Sequence, residues 1–204
     1  MTYEAVPNGE LAAVVTYLEM LSAPDSEVPP SPLSLKHVHA PGTEAYRELF
    51  RRIGAPWLWF SRLVMDEAEL AAIIGNPRVT LFAVTDESGE EVGMLELDFR
   101  EPGQCELAFI GLAAELTGKG HGRWLLAEAV SRAWRPEIMR VHVHTCSLDH
   151  PAALAAYRRA GFTPFKRAIE RFPDPRLLGI LPADCAPHVP LLGTPTCPPS
   201  RPAS

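Results

Sequence analysis

Three groups of residues have types and spacing suited to chemistry. The first is the run Leu116 to Leu126, LTGKGHGRWLL, where Gly118, Gly120 and Gly122 alternate with Lys119 and His121 ahead of an apolar helical stretch. A glycine-rich turn can aim several backbone N–H groups at one point, because no Cβ blocks the approach. The following helix adds unpaired N–H groups and the positive end of its dipole. Lys119 and Arg123 add charge, so the run reads as an anion cradle. Its spacing excludes a Walker A loop and a G-x-G-x-x-G dinucleotide fingerprint. A tight turn whose glycines serve only the backbone is the competing reading.

The second group is carboxylates on adjacent strand candidates. Glu106 lies in CELAFIGL, and strand alternation would put it on one face with Ala108 and Ile110. Partly desolvated, it would have a raised pKa and act as a base, directly or through water. Glu96 and Asp98 share a face with Met94 on the neighbouring candidate EVGMLELDF. They either line a cleft that attracts a cationic amine or form the solvated face of a half-buried strand. The third group is His142, His144 and Cys146, alternating on one strand. No fourth ligand occurs at recognisable spacing, so no metal is expected. His144 reads instead as a hydrogen-bonded cleft or core residue.

These residues need elements to hold them. Ala13 to Leu21 reads as a strand, with a weaker candidate in LSLKHVHA. Tyr46, Leu49, Phe50 and Ile53 fall on one helical face, with Thr43 as the expected N-cap and Gly54 as the stop. Asp66 and Glu69 have capping-box spacing and open a second helix that ends near Gly75. RVTLFAV, EVGMLELDF and CELAFIGL come next as strands, joined through Ser88-Gly89 and Pro102-Gly103, so this part of the sheet should be antiparallel. After the glycine run, Leu126, Ala129, Val130, Ala133 and Trp134 form a helical apolar stripe. IMRVHVHTC is a strand, Asp149 is the expected cap of a helix ending at Gly161, and FTPFKRAIERF is a final strand. Helices on both faces of a mixed, mostly antiparallel sheet make an α/β (α+β) domain over residues 1–172. Residues 173–204 are proline-rich with little periodicity, and read as an extended or mobile tail.

Composition narrows the function. The chain has 204 residues, 47% hydrophobic and 22% charged, with a formal net charge of −6. That argues against a general nucleic-acid binder. The four cysteines form no C-x-x-C pair, the N-terminus lacks the features of a secretory signal, and no apolar run is long enough to span a membrane. A cytoplasmic protein with reduced thiols is the expectation.

The glycine run, the strand before it and the segment VHTCSLDHPAALAAYRRAGF after it together resemble the GNAT superfamily of acyl-CoA-dependent N-acetyltransferases. Gly120 and Gly122 match the small positions of the family's Arg/Gln-x-x-Gly-x-Gly/Ala motif, with Thr117 where Arg or Gln is usual. Tyr157, Gly161 and Phe162 match its Tyr and Gly-Phe landmark, with His150 where an Asn is often seen. The likeness covers roughly Val79 to Phe165.

The resemblance implies a GNAT-like fold and acetyl-CoA as co-substrate, with its pyrophosphate on the amides from Gly118 to Arg123. It implies a pantetheine arm running as a pseudo-strand along Phe109, Ile110, Gly111 and Leu112. It implies the Ile110 N–H as oxyanion donor, Tyr157 as general acid at the sulfur and Glu106 in the place of the base. His150 would contact the pantetheine or the acceptor. Trp57, Trp59 and Arg62, in PWLWFSR, would wall the acceptor site, where the alternative is aromatic core packing. The expected reaction is direct transfer to a small primary amine. Two alternatives remain: a non-catalytic acyl-CoA sensor and a protein or peptide N-acetyltransferase. A homodimer is compatible with the sequence.

Overall fold

The computed structural model describes residues 2–25, 27–39 and 41–193. Its strands are β1 Glu10–Met20, β2 Ser34–Val38, β3 Val79–Thr85, β4 Glu91–Asp98, β5 Gln104–Leu112, β6 Arg140–Cys146 and β7 Thr163–Pro173. Its helices are α1 Thr43–Gly54, α2 Ser61–Val64, α3 Glu67–Ile74, α4 His121–Ala133 and α5 Ala153–Arg159. The strands form one sheet in the order β2-β3-β4-β5-β6-β1-β7. All neighbours are antiparallel except β5 and β6.

Alternation along the strands sends apolar side chains to two separate cores. Leu95, Leu97, Cys105 and Leu107 meet Leu125, Leu126, Ala129 and Ala133 of α4 and Tyr157 of α5. On the opposite face, Met94, Val79 and Leu81 meet Tyr46, Phe50 and Ile53 of α1 and Leu70 and Ile74 of α3. The mixed sheet with helices on both faces is the architecture expected.

Several details differ from expectation. Gly42, not Thr43, is the N-cap of α1, and Thr43 is already helical. Asp66 does cap α3, accepting from the Glu69 N–H at 2.7 Å. Asp149 does not cap α5, whose N-cap is Ala152 with no side-chain bond; its carboxylate is used elsewhere. Trp134 lies one residue past α4, as its C-cap. The first strand, β1, inserts between β6 and β7, so the first strand of the sheet lies beside the last.

Residues 174–193 fold back on the domain. Leu181 and Ala186 bury themselves with Leu11 and Leu58. Arg176 organises this segment. Its guanidinium pairs with Asp174 at 2.7 Å, both side chains 2% exposed, and donates to the carbonyls of Cys185, Ala186 and Val189. An Arg can be buried this way because nearly all of its donors find acceptors. Residues 194–204, including Cys197, lie outside the described residues.

Arg176→Met strands the buried Asp174 charge and unpairs three carbonyls. It should lower unfolding stability by about 3–5 kcal/mol in denaturant titration. A loss below about 1 kcal/mol would contradict this account of the segment.

Candidate active site

The site begins where two strands part. β5 and β6 pair in parallel only at Gln104↔Arg140, Cys105↔Val141 and Glu106↔His142. Beyond that β6 stays on β1 and β5 stays on β4, leaving a wedge-shaped split between them. A register shift opposite Glu96 and Leu97 marks an extra residue, Ala108, in β5. Such a bulge bends its strand and reverses the facing of the residues after it. Ile110 and Leu112 therefore pack towards α4, while Phe109 packs towards α1. Glu106 consequently does not share a face with Ile110, as plain alternation would have it.

The roof of the split on the α1 side is aromatic. Phe109 meets Phe50 edge-on at 4.8 Å and Trp59 at 5.4 Å. Gly111 is required there: a Cβ would lie 2.7 Å from Ile53 Cγ2 and 3.2 Å from Trp59 Cη2. The Trp59 indole N–H reaches across to Asp149 at 3.1 Å. Asp149 also accepts from the Thr145 hydroxyl and the Cys146 N–H, both at 2.8 Å. Asp149 thus ties the segment before α2 to the end of β6. Trp57 meets His150 edge-on at 5.0 Å and His188 at 5.8 Å. Between the two tryptophans Leu58 has φ 58°, left-handed and unfavourable for a branched residue. Its side chain is 3% exposed, held against Leu11, Leu181 and Ala186. The C-terminal segment therefore helps fix how the two indoles diverge.

The three carboxylates are all partnered. Glu96 is fully buried between Arg62 Nη2 at 2.6 Å and the Tyr46 hydroxyl at 2.5 Å. Arg62 also lies over the Phe109 ring at 5.2 Å. Burial, with Glu96 beside it, drives the Tyr46 phenol far above its ordinary pKa. Asp98 grips Arg100, and this pairing holds its carboxyl below the usual value against the opposing effect of burial. Neither carboxylate is a free cation attractor, and neither forms a solvated strand face. Glu106 sits 3.3 Å from His144 Nδ1, with side chains 33% and 48% exposed. The contact with His144 outweighs burial and lowers the Glu106 pKa, where desolvation alone would raise it. The same contact raises that of His144. The sequence offered no signal linking Tyr46 to Glu96 or Asp149 to Trp59. The His144–Glu106 pair needed the strand register.

Tyr157 is 9% exposed in the α4-side core, and its hydroxyl has no hydrogen-bond partner among the described residues. Burial raises its pKa well above the ordinary value. His150 accepts from the Ala152 N–H at 3.1 Å. No group of three metal-ligating side chains occurs among the described residues, and His142, His144 and Cys146 bind no common point.

Past β5, a turn of 3-10 helix, Ala114–Leu116, leads through Thr117 into the glycine run. Gly118 and Gly120 take φ 79° and 85°, and Gly120 is the N-cap of α4 with no side-chain cap. The backbone N–H groups of residues 118–122 have no acceptor among the described residues. A Cβ on Gly118, Gly120 or Gly122 would meet nothing within 4 Å, so the concavity is open. Lys119 and Arg123 are exposed beside it, and His121 starts the helix half-buried.

A mixed sheet that parts in the middle, with a bare helix N-terminus at the mouth of the split, defines a class of acyl-transfer fold. Residues 43–162 match the Acetyltransferase (GNAT) family, and the chain belongs to it. No curated protein matches the chain in sequence. Among solved structures, a GCN5-related N-acetyltransferase from Sphaerobacter thermophilus superposes with TM-score 0.56 at 17% identity, over 79% of this chain and 51% of that one. An aminoglycoside acetyltransferase from an uncultured soil metagenomic sample gives 0.53 at 16%, over 68% of this chain and 93% of that one. An IAA acetyltransferase from Bacillus cereus gives 0.50 at 23%, over 66% and 79%. This chain spans about half the length of the Sphaerobacter protein, and the likenesses carry the fold. No helix among the described residues is long and apolar enough to cross a membrane.

Arg62→Met leaves Glu96 charged and fully buried, and should cost about 3–5 kcal/mol of stability. Tyr46→Phe removes one hydrogen bond to the same carboxylate and should cost about 1.5–3 kcal/mol. Chemical denaturation checks the order; equal losses below about 1 kcal/mol would contradict it.

Proposed function

We propose that the protein transfers an acetyl group from acetyl-CoA to a primary amine of a small molecule, directly, in a ternary complex. The observation that carries this is the row of unpartnered N–H groups at residues 118–122, set at the mouth of the β5–β6 split. Unpaired amides at a helix start are suited to a pyrophosphate. Because Thr117 lacks a long polar arm, the unpaired amides from Gly118 to Gly122 carry the anion, with Lys119 and Arg123 supplying charge. The split is open along Phe109–Leu112, where an extended amide-bearing arm can add to β5 as a strand adds to a sheet edge.

Chemistry then needs a proton acceptor for the ammonium, donors for the oxyanion and a proton for the thiolate. We assign the oxyanion to the Ile110 N–H and the proton donor to Tyr157. A buried phenol with a raised pKa stays protonated until sulfur demands its proton. The proton acceptor is assigned to the Glu106 side of the split. Trp57, Trp59 and His150 are assigned to the acceptor wall. Arg62, Glu96 and Asp98 support that wall as closed pairs.

Calorimetry with acetyl-CoA tests the reading, and no binding at millimolar cofactor would sink it. Gly120→Ala should leave folding intact. An L-residue with left-handed φ costs about 1–2 kcal/mol, and the exposed loop can relax away from it when empty. Affinity for acetyl-CoA should therefore fall about five- to thirty-fold. An unchanged affinity would remove the pyrophosphate from this loop.

A further inference from the structure

The last paired residues of β5 and β6 are Glu106 and His142, so the first side chain on that face of β6 inside the open split is His144. Its Nδ1 faces the Glu106 carboxylate at 3.3 Å. Its ring lies 5.8 Å from that of Tyr17, the residue opposite it on β1. Its Nε2 has no partner among the described residues, and about half of the side chain is exposed. A carboxylate on Nδ1 keeps the proton on that nitrogen and leaves Nε2 as a proton acceptor.

We infer that His144 Nε2, held by Glu106, takes the proton from the acceptor ammonium. The inference rests on the acyl-transfer reading above and changes the division of labour within it: Glu106 becomes a positioning residue. Its Oε1 faces the imidazole Nδ1 at 3.3 Å. Its carboxyl is also held below the ordinary 4.5, making it a weak base near neutral pH. His144 is raised above 6.5 by the same contact.

The surrounding charges agree in sign. Asp98 on β4, Asp149 after β6 and Glu170 on β7 are acidic, and the latter two raise His144. Asp98 is already paired with Arg100. His142, on the same strand, is held below its ordinary value by burial and stays neutral near neutral pH. Arg140 is engaged by Glu19 and Gln104, and Lys166 lies over the Tyr17 ring.

The protons balance. One ammonium proton passes to Nε2, giving imidazolium, and leaves to water. The free amine attacks the thioester carbonyl and a C–N bond forms. When the C–S bond breaks, Tyr157 gives its proton to sulfur. The second proton, still on nitrogen, then restores the phenol. The net products are amide, thiol and one released proton.

The test measures thiol release from acetyl-CoA against pH. The amines are an arylalkylamine, an amino acid, a polyamine and an aminoglycoside. Wild type, His144→Gln and Glu106→Gln are compared, with acetyl-CoA affinity measured for each. Wild-type kcat/KM should fall on the acid side with a pKa above 6.5. His144→Gln should lose about 100-fold or more in kcat with acetyl-CoA affinity unchanged. Glu106→Gln should move the acid limb to lower pH, and the His144 imidazole titrated by NMR should move with it. A limb below pH 4.5, or His144→Gln within two-fold of wild type, overturns the inference and leaves the acyl-transfer reading standing. Wild-type protein that releases no thiol with any amine overturns both.

Discussion

Everything at the site depends on β5 and β6 pairing for three residues and then separating. A continuous ladder would satisfy both strand edges and leave no opening. The separation has identifiable causes on each side. The extra residue at Ala108 bends β5 while β4 keeps hold of it. β6 is held by β1 along nearly its full length, from Val15↔Cys146 to Met20↔Val141. Side chains close what the backbone leaves open: Trp59 lies over Phe109 and Gly111, and reaches Asp149 on the far wall.

Charge is distributed around that split with little left over. Glu96 sits between Arg62 and Tyr46, Asp98 grips Arg100, and Asp174 grips Arg176. The buried Arg62–Glu96 and Arg176–Asp174 pairs add little net stability, because desolvation offsets attraction, but removing one partner is expensive. Their effect is to fix geometry. The Arg62–Glu96 pair joins α2 to β4 directly beneath Phe109. The Arg176 cluster holds residues 174–189 on Leu58 and so sets the turn between Trp57 and Trp59. Glu106 and His144 pair inside the split where solvent still reaches both side chains.

Much of this was legible in the sequence, and the limits are physical. Elements governed by local rules were readable: the Asp66 cap, the two hairpins, the Gly54 and Gly161 stops and the apolar stripe of α4. Gly118 and Gly120 were readable because few other residues take a left-handed φ at a helix start. What failed depended on distant partners. Nothing local places β1 between β6 and β7, since both contacts span most of the chain. Face assignment along β5 failed because one bulged residue inverts the alternation. Asp149 has the composition of a cap, but its carboxylate instead takes donors from Thr145 and Cys146 just before it and from the distant Trp59. Glu106 was expected to have a raised pKa from desolvation, and the histidine two strand positions beyond its register partner reverses the sign.

The central claim is that the split and the bare amides beside it form one continuous acyl-CoA slot. A crystal structure of the protein with acetyl-CoA tests this most directly. The account predicts pyrophosphate oxygens within hydrogen-bonding distance of the amides of residues 118–122, and pantetheine amides laddered on β5 along Phe109–Leu112. Acetyl-CoA bound on any other surface, with β5 and β6 closed on each other, would contradict it.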